Sequence, residues 1–107
     1  MNTVEQALGI CSLITDGVSE WSNLNPPDYN DWSDVLEAQA KEDFALAILH
    51  KIDNEPARIV IAQELVRIMH NMATDITINW DEDELNRVPS LWKGITEAES
   101  FLKEVES

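Results

Sequence analysis

Apolar residues recur every three or four positions through four stretches of this 107-residue chain, and this periodicity restricts its fold more than any other feature. The first stretch places seven such residues on one helical face: Val4, Ala7, Leu8, Cys11, Ile14, Val18 and Trp21. Thr3 or Asn2 can cap the start of this helix. Gly9 and Gly17 are expected to weaken the helix, because glycine is a poor helix former, and Gly17 is a candidate position for a break or an end.

Two further helices are predicted on either side of a proline-containing junction. The second helix begins near Asp31 or Ser33 and ends at about Ile52. Its apolar stripe is predicted at Trp32, Leu36, Ala40, Phe44, Ala47 or Ile48, and Ile52. The third helix covers about residues 56–74, since proline is tolerated in the first turn. Its predicted inward face consists of Ile61, Leu65, Ile68, Met69, Met72 and Ile76, and Ile59, Val60, Val66 and Ala73 widen it. This helix has the densest apolar content, and we expect it to be central and contacted on more than one side.

The segment after the third helix has a mixed pattern. Ile76, Ile78 and Trp80 alternate with polar residues across residues 74–80, which is typical of a strand, and residues 58–61 are also rich in β-branched side chains. Two such short runs make a poor sheet. We therefore favour a helix followed by a short extended connector, with a lone hairpin as the alternative.

The C-terminal segment predicts a short helical turn and a final helix. Residues 81–84 are all acidic, which suits the positive end of a helix dipole, and Pro89 ends that turn. The final helix begins at Ser90 or, after Gly94, at the capping box Thr-Glu-Ala-Glu. Its inward face is predicted to contain Leu91, Ile95, Ala98, Leu102 and Val105. The chain thus predicts a single domain over residues 1–107, folded as a compact all-α bundle of four to five helices.

Charge is the second strong feature. Twenty-one acidic residues against seven basic ones give a net charge of −14, and no lysine or arginine precedes Lys41. Such a surface favours basic proteins or cations as partners, and it disfavours direct binding to nucleic acid or to an anionic membrane. Internal salt bridges cannot neutralise this excess, so parts of the surface must remain negative.

The sequence also bears on the cellular compartment. Cys11 is the single cysteine, which excludes an intrachain disulfide, and its place in an apolar stripe predicts a small buried core residue. The N-terminus lacks the basic region of a secretory signal, and no apolar run is long enough to cross a bilayer. The expected location is the cytoplasm.

No catalytic, metal-binding or cofactor-binding motif accompanies the acidity, so the chain is not predicted to be an enzyme. A calcium loop counted from Asp31 has Leu36 at the position that requires glycine. Neither histidine has a glutamate three residues before it, as a di-metal bundle requires. The remaining enzymatic alternative, an all-α metal-dependent nucleotide hydrolase, would need Glu42, Asp43 and Glu64 to converge.

Two segments combine acidic with aromatic residues, and we predict that they bind a partner. The first segment contributes Asp28, Tyr29, Asp31, Trp32, Asp34 and Glu37. The second contributes Trp80, Asp81, Glu82, Asp83 and Glu84. An aromatic side chain supplies desolvated contact area, while the charges around it steer the partner. The alternatives are core packing for the tryptophans and a solvated helix start for residues 81–84.

Together these features predict a non-enzymatic acidic protein that binds and inhibits a basic protein, and a nucleic-acid-binding protein is the favoured partner. Homo-oligomers are compatible with this prediction. Carboxylates along helices can imitate duplex DNA, which carries about one negative charge per 1.7 Å of axis. Small phage-encoded inhibitors of restriction, repair or CRISPR machinery are often of this kind, and the chain is similar to them in size, charge and helicity. The alternative is an immunity protein or antitoxin that neutralises a basic toxin.

Overall fold

The computed structural model describes residues 3–24 and 33–106, with side chains described for residues 3–21 and 39–105, and this part is helical without any strand. Five helices follow one another: α1 (Thr3–Leu24), α2 (Ser33–Lys51), α3 (Glu55–Thr77), α4 (Glu82–Asn86) and α5 (Pro89–Glu106). The predicted all-α bundle is confirmed. None of the described helices combines the length and the apolar character that a membrane crossing needs.

α1 lies in the middle of the bundle, where it contacts α2, α3 and α5. The predicted inward face is confirmed at the positions that are buried, which are Val4, Ala7, Cys11, Ile14 and Val18. Leu8 and Trp21 are partly buried and pack against this core. α3, which the sequence predicts as the central helix, likewise contacts the three other long helices. Two helices therefore share the middle of the fold.

The candidate break at Gly17 does not occur, because α1 passes through this residue without interruption. A Cβ atom at Gly17 would lie only 2.4 Å from the Cα atom of Leu91 in α5. Gly94 in α5 repeats this arrangement, since its Cβ would lie 2.8 Å from Cγ1 of Ile14. Position 17 thus meets 91 while 14 meets 94, so the two helices run in opposite directions. Glycine at these positions allows their backbones to touch.

α2 turns a different face to the core from the one predicted. Ala45 and Leu49 are buried, whereas Phe44 is 68% exposed. Alanines of the predicted stripe are exposed too, at Ala40 and Ala47. Glu42 lies three residues before Ala45 on the same helical face and accepts a hydrogen bond from Thr15 of α1. That contact, together with the small alanine, fixes which of two adjacent apolar faces packs on α1.

α3 is rotated slightly from its predicted orientation. Its buried residues are Ala62, Leu65, Val66, Met69, Met72 and Ala73. The prediction is confirmed at the leucine and the two methionines, but Ile68 is 42% exposed. The structure also buries Val66 and Ala73, which are predicted to widen the stripe, and Ala62, which the prediction left out. Val60, also predicted to widen it, is 57% exposed. Small side chains such as alanine let neighbouring helices approach. The larger isoleucines are displaced to the side of the contact.

The alternating pattern of residues 74–80 does not form a hairpin. α3 continues to Thr77, three residues beyond its predicted end, and the Thr74 and Thr77 hydroxyls donate to carbonyls one turn earlier, at 2.8 and 3.0 Å. The backbone N–H of Trp80 then donates to the carbonyl of Thr77 at 3.0 Å. A turn thus replaces the extended connector. Ile76 and Trp80 pack against the core, whereas Ile78 between them is exposed.

α5 begins at Pro89, one residue before the first of its two predicted starts. The alternative start at the capping box is wrong, because Thr96 lies inside the helix and its hydroxyl donates to the Trp92 carbonyl at 2.9 Å. Gly94 lies inside α5, where its lack of a side chain allows Ile14 to approach closely.

Candidate partner-binding surface

Two tryptophans join the end of α1 to the turn after α3. The rings of Trp21 and Trp80 are tilted by 42° with their centroids 5.4 Å apart. Both side chains are half-buried and pack against the core. Such a pair contributes about 0.5–1.5 kcal/mol beyond the area it buries. It fixes the position of Trp80, and therefore of the chain that enters α4 directly after it.

α4 is a single acidic turn, and the residue before it, Asp81, has a structural role. Asp81 has extended backbone angles, and its Oδ1 accepts a hydrogen bond from the backbone N–H of Glu84 at 2.8 Å. This is N-cap geometry, which satisfies an N–H group that the helix leaves without a partner. At the other end, the backbone N–H of Arg87 donates to the Glu84 carbonyl at 3.1 Å. Asp81 therefore holds the turn in shape.

The next three carboxylates, Glu82, Asp83 and Glu84, are exposed. Within the described part of the chain, none of the three takes part in a salt bridge. Their charges are favourable at this helix N-terminus but remain unneutralised by any described cation. Residues 82–84 thus present three free acceptor groups beside the tryptophan pair; we call Trp80 with residues 81–84 the α4 acidic surface.

A further carboxylate lies at this end of the bundle and was not predicted. Glu20 is exposed and accepts a hydrogen bond from the Ser90 hydroxyl at 3.1 Å, which joins the end of α1 to the start of α5. Its chain neighbour Trp21 contacts Trp80. The sequence offered one weak signal, an acid directly beside a tryptophan. Only the contact between distant helices shows that Glu20 and the α4 acidic surface belong to one region.

The first predicted partner-binding segment is described only in part. Four of its residues lie outside the described residues: Asp28, Tyr29, Asp31 and Trp32. Asp34 and Glu37 fall in the first two turns of α2, where the backbone alone is described. Their role in partner binding stays a prediction.

The three acids required by the hydrolase alternative lie in different environments. Glu42 is half-buried, and its two oxygens accept hydrogen bonds from Ser12 at 3.0 Å and Thr15 at 2.7 Å. Its neighbour Asp43 is exposed, while Glu64 forms a salt bridge with Arg67 within α3. Among residues 3–24 and 33–106, no group of three or more histidine, cysteine or acidic side chains is arranged to hold a metal ion.

Cys11 is fully buried, which confirms the prediction of a core residue. Burial, with a smaller contribution from the negative charge of Glu42, raises the pKa of its thiol to about 12. The thiolate is the reactive form of cysteine, so this side chain packs as an apolar group and is protected from oxidation and alkylation.

No protein-family model, no curated protein and no solved structure matches this chain.

Proposed function

We propose that the chain is a non-enzymatic acidic interaction protein that binds a basic protein surface and blocks it. The observation that carries this proposal is the α4 acidic surface, where three exposed carboxylates without a described salt bridge stand beside half-buried Trp80. The net charge of −14 adds a long-range attraction for any cationic partner.

The partner class follows from the arrangement of these charges. A basic protein that binds nucleic acid carries lysine and arginine side chains spaced to meet phosphates, and carboxylates on successive helical positions can meet the same groups. Half-buried Trp80 adds apolar area at the border of the acidic turn, where a partner side chain can exclude water. We infer that the partner is a nucleic-acid-binding protein and that the chain competes with its nucleic acid. A cytoplasmic inhibitor of a defence or repair enzyme fits this description.

The test compares two variants with the same net charge. The first, Glu82→Gln/Asp83→Asn/Glu84→Gln, neutralises the three exposed carboxylates after the cap and leaves the Asp81 cap of the α4 acidic surface intact. The control, Asp53→Asn/Asp75→Asn/Glu97→Gln, removes three exposed charges outside that surface. Both variants carry −11, so a difference between them reports the position of the charges and not their sum.

Each protein is immobilised and exposed to lysate of its source cells at about 0.05 M and about 0.5 M salt, where the Debye length falls from roughly 14 to 4 Å. We expect the wild type and the control to capture a basic nucleic-acid-binding protein at low salt. The α4 variant should capture at least tenfold less, and added duplex DNA should displace the captured protein. Equal capture by both variants would rule out the α4 acidic surface as the binding site. Capture of one small basic protein that resists both salt and DNA would favour the antitoxin alternative.

A further inference from the structure

Exposed apolar side chains concentrate in one groove between α2 and α3. Five large hydrophobic residues are exposed in the described part of the chain, and three of them line this groove: Phe44 (68%), Val60 (57%) and Ile68 (42%). The groove has a volume of about 250 Å³, and half-buried Ile48 and Ile61 form much of its floor. Its apolar lining differs from the acidic surface elsewhere and suits an apolar partner surface rather than a basic one.

The groove also lies in the least negative part of the chain. α2 and α3 together contain four of the seven basic residues against seven acidic ones, a net charge of −3, while the other 65 residues carry −11. The groove lining contains one cation, Lys41, and one anion, Glu64. A basic partner would find no acidic excess here, in contrast to the α4 acidic surface. A surface with balanced charge and an apolar centre can instead bind a second copy of itself.

We propose that the α2–α3 groove is the interface of a two-fold homodimer of this chain. In such an isologous interface, the same groove is used by both copies, and each residue pair occurs twice. Phe44 of one copy would then enter the groove of the other copy. The rim of the groove carries one cation and one anion, Lys41 and Glu64, so two copies can approach there without an excess of like charge.

The available area is sufficient for a dimer. An aromatic side chain carries about 150–250 Å², so the exposed fraction of Phe44 alone offers roughly 100–170 Å². The 23 residues of α3 span about 35 Å. With α2 packed roughly 9 Å away, the face measures about 35 by 20 Å, or roughly 700 Å². A standard interface buries about 600–1,000 Å² per partner, and this face lies within that range.

Dimerisation through this face is compatible with the proposed function but does not depend on it. α4 makes its main helix contact with α5 and has no extensive contact with α2 or α3. Both α4 acidic surfaces would therefore remain exposed in the dimer.

Sedimentation equilibrium tests the dimer. We expect the wild-type mass to approach twice the monomer value of 12.1 kDa at high protein concentration. Association should strengthen as salt is added, because two chains of charge −14 repel each other at low salt. Phe44→Ser and, independently, Val60→Ser should raise the dissociation constant at least tenfold. The control Ile78→Ser removes a similarly exposed hydrophobic residue (72% exposed) that does not line the groove, and it should leave association unchanged.

Circular dichroism shows that each variant used is folded. A wild type that remains monomeric at about 1 mM protein in about 0.5 M salt would overturn the proposal and leave the groove to a different chain. A Phe44→Ser or Val60→Ser variant that is folded and associates like the wild type would also overturn it, as would equal weakening by Ile78→Ser.

Discussion

Replacing Gly17 by alanine should separate α1 from α5, although the same change at Gly9 in the same helix should stabilise the protein. The Cβ at position 17 would lie 2.4 Å from the Cα of Leu91, whereas a Cβ at position 9 meets nothing within 4 Å. A normal carbon–carbon contact is about 3.5–4.0 Å, so the helices must move apart by roughly 1–1.6 Å. Backbone atoms cannot rotate away as a flexible side chain can.

The magnitude follows from two opposing effects. Alanine is favoured over glycine in a helix interior by about 1 kcal/mol. Overpacking costs about 1–3 kcal/mol, and we expect the upper end because a gap of about 1 Å forfeits up to half of each dispersion contact between the helices. Gly17→Ala should therefore destabilise by about 2 kcal/mol, while Gly9→Ala gains up to about 1 kcal/mol. The third glycine, Gly94, is intermediate, since its Cβ would first meet the side chain of Ile14 at 2.8 Å.

The assay is urea and thermal unfolding at one fixed salt concentration, followed by tryptophan fluorescence. A difference of about 3 kcal/mol between Gly9→Ala and Gly17→Ala corresponds to more than about 10 °C in Tm. The expected order of stability is Gly9→Ala, wild type, Gly94→Ala, Gly17→Ala. If Gly17→Ala were as stable as Gly9→Ala, the close backbone contact between α1 and α5 would be refuted.

Two further predictions concern the α1–α2 contact and the buried thiol. Thr15→Val removes the 2.7 Å hydrogen bond to half-buried Glu42 and should lower the free energy of unfolding in urea by about 1–2 kcal/mol, because hydrogen bonds to charged groups are strong. Ser12→Ala loses an exposed 3.0 Å hydrogen bond to the same carboxylate and should cost less than about 1 kcal/mol. Equal losses in the two variants would contradict this ranking. The pKa of the Cys11 thiol is raised from 9.0 to about 12 in the folded state, so its contribution to stability is complete below about pH 9 and is lost as pH rises towards 12, where the unfolded chain ionises first. The free energy of unfolding should fall across this window less steeply in Cys11→Ala than in the wild type, and identical slopes would show that the thiol is not buried.

The number and type of the helices could be predicted from sequence, because their apolar periodicity, the proline-containing junction and the acidic start of α4 are local signals. The facing residues of α1 could be predicted for the same reason. The core-facing residues of α2 could not be predicted, because Phe44 and Ala45 are both apolar and, as neighbours in a helix, point in different directions. The Ala45 face packs on the core because Glu42, on the same face, accepts a hydrogen bond from Thr15 of α1, which is distant in sequence.

The glycines show a second limit of sequence reasoning. Helix propensity made Gly17 a candidate break in the first helix and allowed the last helix to begin after Gly94. In the structure both glycines lie inside helices, where α1 and α5 contact each other. The candidate site has the same limit: the acids of residues 81–84 are evident in the sequence, whereas the contact that places Glu20 nearby is not. Composition also gave no indication that Phe44, Val60 and Ile68 share one groove, because they come from two helices.

The two proposed surfaces should respond to salt in opposite directions, and this opposition separates them experimentally. Binding of a cationic partner to the α4 acidic surface draws on attraction between unlike charges, so salt weakens it. Association through the α2–α3 groove brings together two like-charged chains, and its apolar contacts are insensitive to screening, so salt strengthens it. Adding salt should therefore release the partner while it promotes the dimer. One salt titration can record both the fraction of chain bound to the partner and the mass of the free chain. If a single surface served both interactions, salt would strengthen both or weaken both, so opposite responses show that the two surfaces are distinct.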